Sequence, residues 1–288
     1  NQKDERFLKL KVALPFLSSK RLELGFGIAQ IEDRYFQNNV IDFDKDKYDK
    51  SGYRLFGGSV SFNGSTLNSR QFPIQGAREA LVAQIFTGNE SFRPGVNSEN
   101  KKPVKEKHSW LQLSYMKEKY HKMGANWILG WYLDAVYASK NFSENYTATM
   151  MQASEFAPTA HSKLTYNEAF RANQYVAAGI RPIYRLNQMF HVRGEFYGFL
   201  PIFPIERNSI NKAYYGKAFS RFEYLGEISV VCQLPFGAIS AYVNHYSSPR
   251  REWNVGLTLG CQLFNYRFIE LFICKKSSPK ACKFKKRP

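Results

Sequence analysis

Acidic residues are scarce in this chain: 24 Asp plus Glu stand against 41 Lys plus Arg, a formal net charge of +17. Cysteine is scarcer still. Cys232, Cys261, Cys274 and Cys282 form no C-x-x-C pair and have no histidine at metal-ligand spacing, which leaves them as small hydrophobes and incidental thiols. The five histidines, at 108, 121, 161, 191 and 245, are scattered singly, so no nucleophile–base pairing can be read from them. Gly25-Phe26-Gly27 lacks the third glycine of a dinucleotide fingerprint because Gln30 stands there, and no helix follows. Gly57-Gly58-Ser59-Val60-Ser61 lacks the G-x-S-x-G spacing of a hydrolase elbow. No charged-then-apolar leader follows Asn1, so a signal peptide is expected to have been removed or left out. Long apolar runs are missing as well. The longest stretch without Asp, Glu, Lys or Arg, Ile228–Pro249, is broken at Leu234-Pro235-Phe236-Gly237, a turn signal. With a mean hydropathy of -0.44 this excludes a helical membrane bundle but not a β-barrel, in which only alternate strand residues face lipid.

Aromatic residues are abundant: 24 Phe, 18 Tyr and 4 Trp make up 16% of the chain, a bias that suits pleated sheet. Period-two alternation recurs. Leu22, Leu24, Phe26 and Ile28 oppose Glu23, Gly25, Gly27 and Ala29. Trp127, Leu129, Trp131 and Leu133 oppose Ile128, Gly130, Tyr132 and Asp134. Tyr224, Ile228, Val230 and Leu234 oppose Glu223, Glu227, Ser229 and Gln233, and Val255, Leu257 and Leu259 oppose Asn254, Gly256 and Thr258. The pattern predicts eleven strands, at about 6–16, 21–36, 53–66, 76–88, 107–120, 125–141, 174–186, 189–200, 221–234, 237–248 and 252–264. A soluble sandwich also alternates. Two features favour a membrane barrel: most strands are long enough for a tilted crossing, and short turns alternate with long polar loops along the chain. The long loops are 37–52, 89–106, 142–173 and 201–220, with 247–251 a short exception. The expected fold is therefore all-β: an antiparallel transmembrane β-barrel filling 1–264, with a basic tail at 265–288 outside it. Seven of the last fourteen residues are Lys or Arg. The positive charge invites a nucleic-acid reading, but its place in loops and tail fits a solvated rim that meets lipid phosphates.

Three local features resemble the barrel of the BamA/TamA-type outer-membrane assembly superfamily. Thr66-Leu67-Asn68-Ser69-Arg70-Gln71-Phe72-Pro73-Ile74-Gln75-Gly76 looks like its periplasmic hairpin, 142–173 like the long loop that folds into the lumen, and five strands follow that loop. At the position of the family's Arg-Gly-aromatic motif the chain reads Phe170-Arg171-Ala172-Asn173, keeping only the arginine. A narrower resemblance, best over about 140–265, is to the barrel of patatin-like phospholipases. It is carried by Tyr146-Thr147-Ala148-Thr149-Met150, Phe156-Ala157-Pro158-Thr159, Phe170–Gly179, Glu195-Phe196-Tyr197-Gly198-Phe199-Leu200-Pro201 and Tyr224-Leu225-Gly226-Glu227.

The resemblance implies a bacterial outer-membrane barrel of sixteen strands, of which eleven are expected here and the N-terminal ones are missing. It also implies that the barrel anchors or translocates an N-terminal serine lipid hydrolase absent from this chain, which itself carries no catalytic dyad. The alternatives are a protein-insertion or secretion factor of the same superfamily and a passive pore. The partners expected are outer-membrane lipid, the barrel assembly machinery during insertion, the N-terminal domains in cis, and a second copy of the chain in a homodimer. Nucleic acid and cofactors are not expected. The inward loop is expected to be latched by Arg171, which would meet a wall carboxylate: Glu195 or Glu227 by preference, with Glu223 also on that face.

Overall fold

The computed structural model describes residues 2–17, 19–36, 48–96, 98, 101–234, 237–248 and 253–260. The basic tail expected at 265–288, Cys261, Cys274 and Cys282, and the turn at Pro235-Phe236 lie outside the described residues. The chain is all-β. The elements run β1 (Gln2–Leu17), β2 (Lys20–Tyr35), β3 (Asp49–Ser65), β4 (Gly76–Arg93), β5 (Val104–Lys122), β6 (Trp127–Ala138), α1 (Tyr146–Gln152), β7 (Ser154–Glu155) and β8 (Arg171–Ala172). They continue with β9 (Gln174–Arg185), β10 (Phe190–Pro201), β11 (Ile205–Arg207), β12 (Ala213–Tyr215), β13 (Glu223–Leu234), β14 (Gly237–Tyr246) and β15 (Trp253–Gly260). One eleven-stranded antiparallel sheet takes the order β1-β2-β3-β4-β5-β6-β9-β10-β13-β14-β15, a meander in which every neighbour in sequence is a neighbour in space. The eleven strands expected from alternation are these, with β3, β4 and β5 reaching further toward the long loops than the apolar pattern alone indicated. Among the described residues the sheet does not close: β1 pairs with β2 and β15 with β14, and neither pairs with the other.

Burial runs opposite to that of a soluble sheet. The apolar face is exposed: Leu257 and Leu259 are 80% and 82% accessible, and Phe26, Phe56, Ile85, Leu113 and Ile228 also lie open. The polar face is covered, and Glu23, Glu118, Glu195, Glu227, Arg181 and Arg193 are all buried there. Among the described residues no helix is long and apolar enough to cross a membrane, which bears on helices alone.

The covered face is concave. Arg193 on β10 donates to the Tyr120 hydroxyl on β5 at 3.0 Å, although β6 and β9 lie between them. At about 4.8 Å per strand those residues would stand about 14 Å apart on a flat sheet, so the face must curl for perpendicular side chains to converge. Connections at one rim are short (around 18–19, 123–126 and 186–189), and those at the other, between β2 and β3, β6 and β9, and β10 and β13, are long.

The hairpin 66–75 shows what its motif does. Asn68 Oδ1 accepts from the backbone of Ile74 and Gln75, each at 3.0 Å, and folds the turn on itself. Phe72 sits at φ 51° and packs on Val231 and Ala238, so the turn tucks under the far side of the sheet. Gly76 has φ 95°, and a Cβ there would run into the Thr66 carbonyl, which accounts for the glycine.

Candidate functional site: the loop-filled concave face

The segment 139–173 crosses the concave face from β2 to β14. Asn145 caps α1 by accepting from Ala148 N at 2.9 Å, and its Nδ2 donates to the Tyr35 hydroxyl on β2 at 2.7 Å. Gln152 donates to Asp33, again on β2. Tyr53 on β3 bonds Ser143 at 2.8 Å. At the other end His161 lies beside β14, with Nδ1 2.9 Å from both the Tyr246 hydroxyl and Asn244 Nδ2. Because an amide nitrogen only donates, this Nδ1 accepts, and the imidazole is neutral with its proton on Nε2. Burial pulls the His161 pKa below its ordinary value. Between these ends the loop sits on an aromatic floor, where Phe156 stacks on Phe199 at 5.6 Å and Phe170 meets Tyr246 edge-on at 5.8 Å. A cavity of about 10 Å³ between them, bounded by Glu155 and Ser162, is about the size of one water.

Arg171 lies inside this loop, but its partners differ from those expected. Its Nη2 pairs with Glu155 Oε2 at 2.7 Å, and its Nη1 reaches the carbonyls of Met150, Met151 and Ala153 at 3.3–3.4 Å. Glu155 and Arg171 are register partners of the small β7–β8 hairpin. The guanidinium thus closes the C-terminal end of α1, where carbonyls lack helical partners and a cation is favoured. Tyr166 lies over the guanidinium at 4.6 Å, and burial pushes its phenol up to about 12. The ion pair observed for Arg171 is thus with Glu155 on its own loop, where Glu195, Glu227 or Glu223 was expected, and the arginine braces the loop from within.

The wall carboxylates are engaged elsewhere. Glu195 takes hydrogen bonds from Arg193 Nε and from the Tyr197 hydroxyl, with Arg181 Nε at 3.9 Å. Glu223 is held by Arg221 Nε at 2.7 Å and by the Ser247 hydroxyl. Glu227 accepts from Asn244 Nδ2 at 3.5 Å, which links it through Asn244 to His161. The reason is strand geometry. Arg193 and Glu195 are two residues apart on β10 and share a face, and Arg221 precedes Glu223 by two residues, so these two acids have a cation close at hand, while Glu227 has the Asn244 amide.

A second network, which the sequence reading missed, ties the wall to the hairpin 66–75. Arg193 Nη1 donates to the Pro73 carbonyl at 2.8 Å and its Nη2 to Tyr120, while Arg181 bonds Glu118, Tyr120 and Tyr197. Arg78 adds a contact to Glu118 at 3.6 Å. Gly130 makes room for this network. A Cβ there would come within 2.6 Å of the Tyr120 ring and 3.1 Å of Arg181 Cβ. The parity of Arg181, Arg193 and Glu118 was legible in the sequence, but their convergence depends on curvature.

Near the long-loop rim, Glu90, Glu106 and His108 place potential ligand atoms within 4.8 Å of one another. Glu90 is already engaged by His108 Nε2 at 2.8 Å and by the Tyr53 hydroxyl at 3.1 Å. Lys140, just beyond β6, lies over the Trp110 ring at 4.7 Å, and burial brings its ammonium pKa down to about 7. Ionic and aromatic contacts account for this corner. No protein-family model matches the chain, and no curated protein matches it.

Proposed function

We propose that this chain is the outer-membrane β-barrel domain of a bacterial protein, and that it anchors or translocates a patatin-like lipid hydrolase domain lying outside it. The single observation that carries the membrane reading is the inverted burial: an apolar belt exposed on the convex face around a covered, ionised interior. In water, belt side chains such as Leu257 and Leu259 would each forgo about 1.5–3 kcal/mol of burial, whereas lipid supplies the apolar surroundings. In this reading the barrel is closed, with sixteen strands by resemblance, and strands beyond the described residues complete its edges. Open edges in hydrocarbon would cost several kcal/mol per unpaired group.

The chain has no hydrolytic role in this proposal. Its interior offers braced ion pairs and aromatic packing, and the hydrolase would be supplied by the accompanying domain. The insertion- or secretion-factor reading draws support from the docked hairpin 66–75. Ala172 and Asn173, in place of the glycine and aromatic of the assembly factors' motif, favour the anchor. A passive pore is disfavoured by a loop that spans the concave face from Asp33 to Tyr246.

The test is refolding of the whole barrel, this chain together with the strands proposed to complete it, into phosphatidylcholine vesicles, followed by flotation and by equilibrium unfolding of two variants. Leu257→Arg is expected to cost about 2–4 kcal/mol, as charges do on a lipid face, and Thr258→Arg far less. Failure to float, or equal costs at the two positions, would overturn the membrane reading.

A further inference from the structure

The exposed face of β2–β5 changes character toward the long-loop rim. Below lie Ile28, Phe56, Ile85 and Leu111, all exposed. Above them, on the same parity, stand Arg34, Lys50, Arg54, Arg93, Lys105 and Lys107. The register sets these cations in rows. Arg34 faces Lys50, which faces Arg93, and two rows lower Arg54 and Lys107 flank Asn89 on either side. Lys105 faces Ser91 between the two rows.

Like charges placed directly opposite one another across strands destabilise a sheet, so three in one row need an anion. Among the described residues few anions face these cations. Glu32 takes Arg34 at 2.7 Å and Lys50 at 4.0 Å, and Asp4 reaches Arg34 at 3.5 Å. Among the described residues Arg93 feels Glu32 only at longer range, and Arg54, Lys105 and Lys107 form no ion pair within 4.0 Å. Tyr48 lies against Lys50 at 5.2 Å and Arg34 at 5.8 Å, an aromatic ring at the level where an interfacial girdle would lie.

We propose that this patch binds the phosphates of a membrane lipid whose headgroup carries two of them, holding that lipid against the barrel wall. The inference rests on the membrane reading above. Three features select the ligand. The cations sit directly over the apolar belt, so a ligand bound there would have its tails beside Phe56 and Ile85. Arginine and lysine both bind phosphate oxygens, and arginine can do so in bidentate fashion. The rows span four strands, about 14 Å, which is wide for one phosphate and suited to two on an extended headgroup.

The experiment uses the whole barrel, this chain with the strands proposed to complete it, folded in zwitterionic detergent. It is mixed with a diphosphorylated diglucosamine lipid, with the monophosphorylated form, or with phosphatidylcholine, and bound lipid is counted by native mass spectrometry. Wild type is expected to retain the diphosphorylated lipid best. R54Q/K107Q and R93Q/K105Q are expected to weaken that retention about tenfold or more, from about fivefold per neutralised cation. K119Q/K122Q, at the opposite rim, is expected to leave it within about twofold, since charges beyond a Debye length are screened. Equal retention in all variants, or no preference of wild type for the second phosphate, would overturn the patch while leaving the membrane reading standing. A chain that enters neither micelles nor vesicles would overturn both.

Discussion

Arg171 illustrates how a buried guanidinium chooses partners by distance and hydrogen-bond geometry rather than by charge alone. It finds Glu155 across the two-residue ladder of β7–β8 and three carbonyls at the end of α1, all on its own loop. Removing either member of such a pair strands the other in a poorly solvated place, which is why single substitutions are expected to be costly. A double-mutant cycle on Arg171→Gln and Glu155→Gln, read by thermal or denaturant unfolding, is expected to show a coupling of about 1–3 kcal/mol. The same cycle with Glu195→Gln or Glu227→Gln is expected to show coupling near zero. The reverse pattern would restore the wall latch. Glu195 keeps its own neighbours, Arg193 and Tyr197, whatever the loop does.

At the scale of elements, the loop is fixed to the sheet at two ends of unequal character. The end at α1 is tied to β2 through Asn145 and Gln152. The end at His161 depends on a neutral imidazole that accepts from Asn244, with Tyr242, Tyr246 and Glu227 around it. Burial lowers the His161 pKa in the docked loop, so docking favours the neutral ring. This contribution is fully present above the ordinary imidazole pKa and is lost as pH falls through it toward the lowered docked value. Hydrogen exchange across 156–170, taken relative to the intrinsic amide rate at each pH, is therefore expected to rise between about pH 7 and 5 in wild type, and the rise is expected to be flatter in His161→Gln. Parallel profiles for the two proteins would show that other groups control the loop. The hairpin 66–75 is met by Arg193 through the Pro73 carbonyl.

For the whole molecule, the question is what the concave face encloses. An empty barrel of about sixteen strands would leave an aqueous channel. Here the loop, the hairpin 66–75 and the Arg181–Arg193 network occupy that face. The full chain in a planar bilayer is expected to show little steady conductance. A porin-sized open current from wild type would mean that the loop leaves the lumen in the membrane, and the anchor reading would give way to the pore.

Strand number and the division of each strand into two faces followed from period-two alternation, because a strand places successive side chains on opposite sides. The turns at 123–126 and 186–189 and the long loop after β6 were legible for the same reason: polar breaks separate the apolar runs. That Glu195, Glu223, Glu227 and Arg193 share the covered face was also determined by parity. Their partners were not. Parity gives direction but no distance, and whether Arg171 meets Glu155 or Glu195 depends on how a thirty-odd-residue loop folds upon itself before it meets the wall. Curvature was equally hidden, since it arises from twist accumulated over eleven strands. Only that curl brings Arg193 to Tyr120 and Pro73.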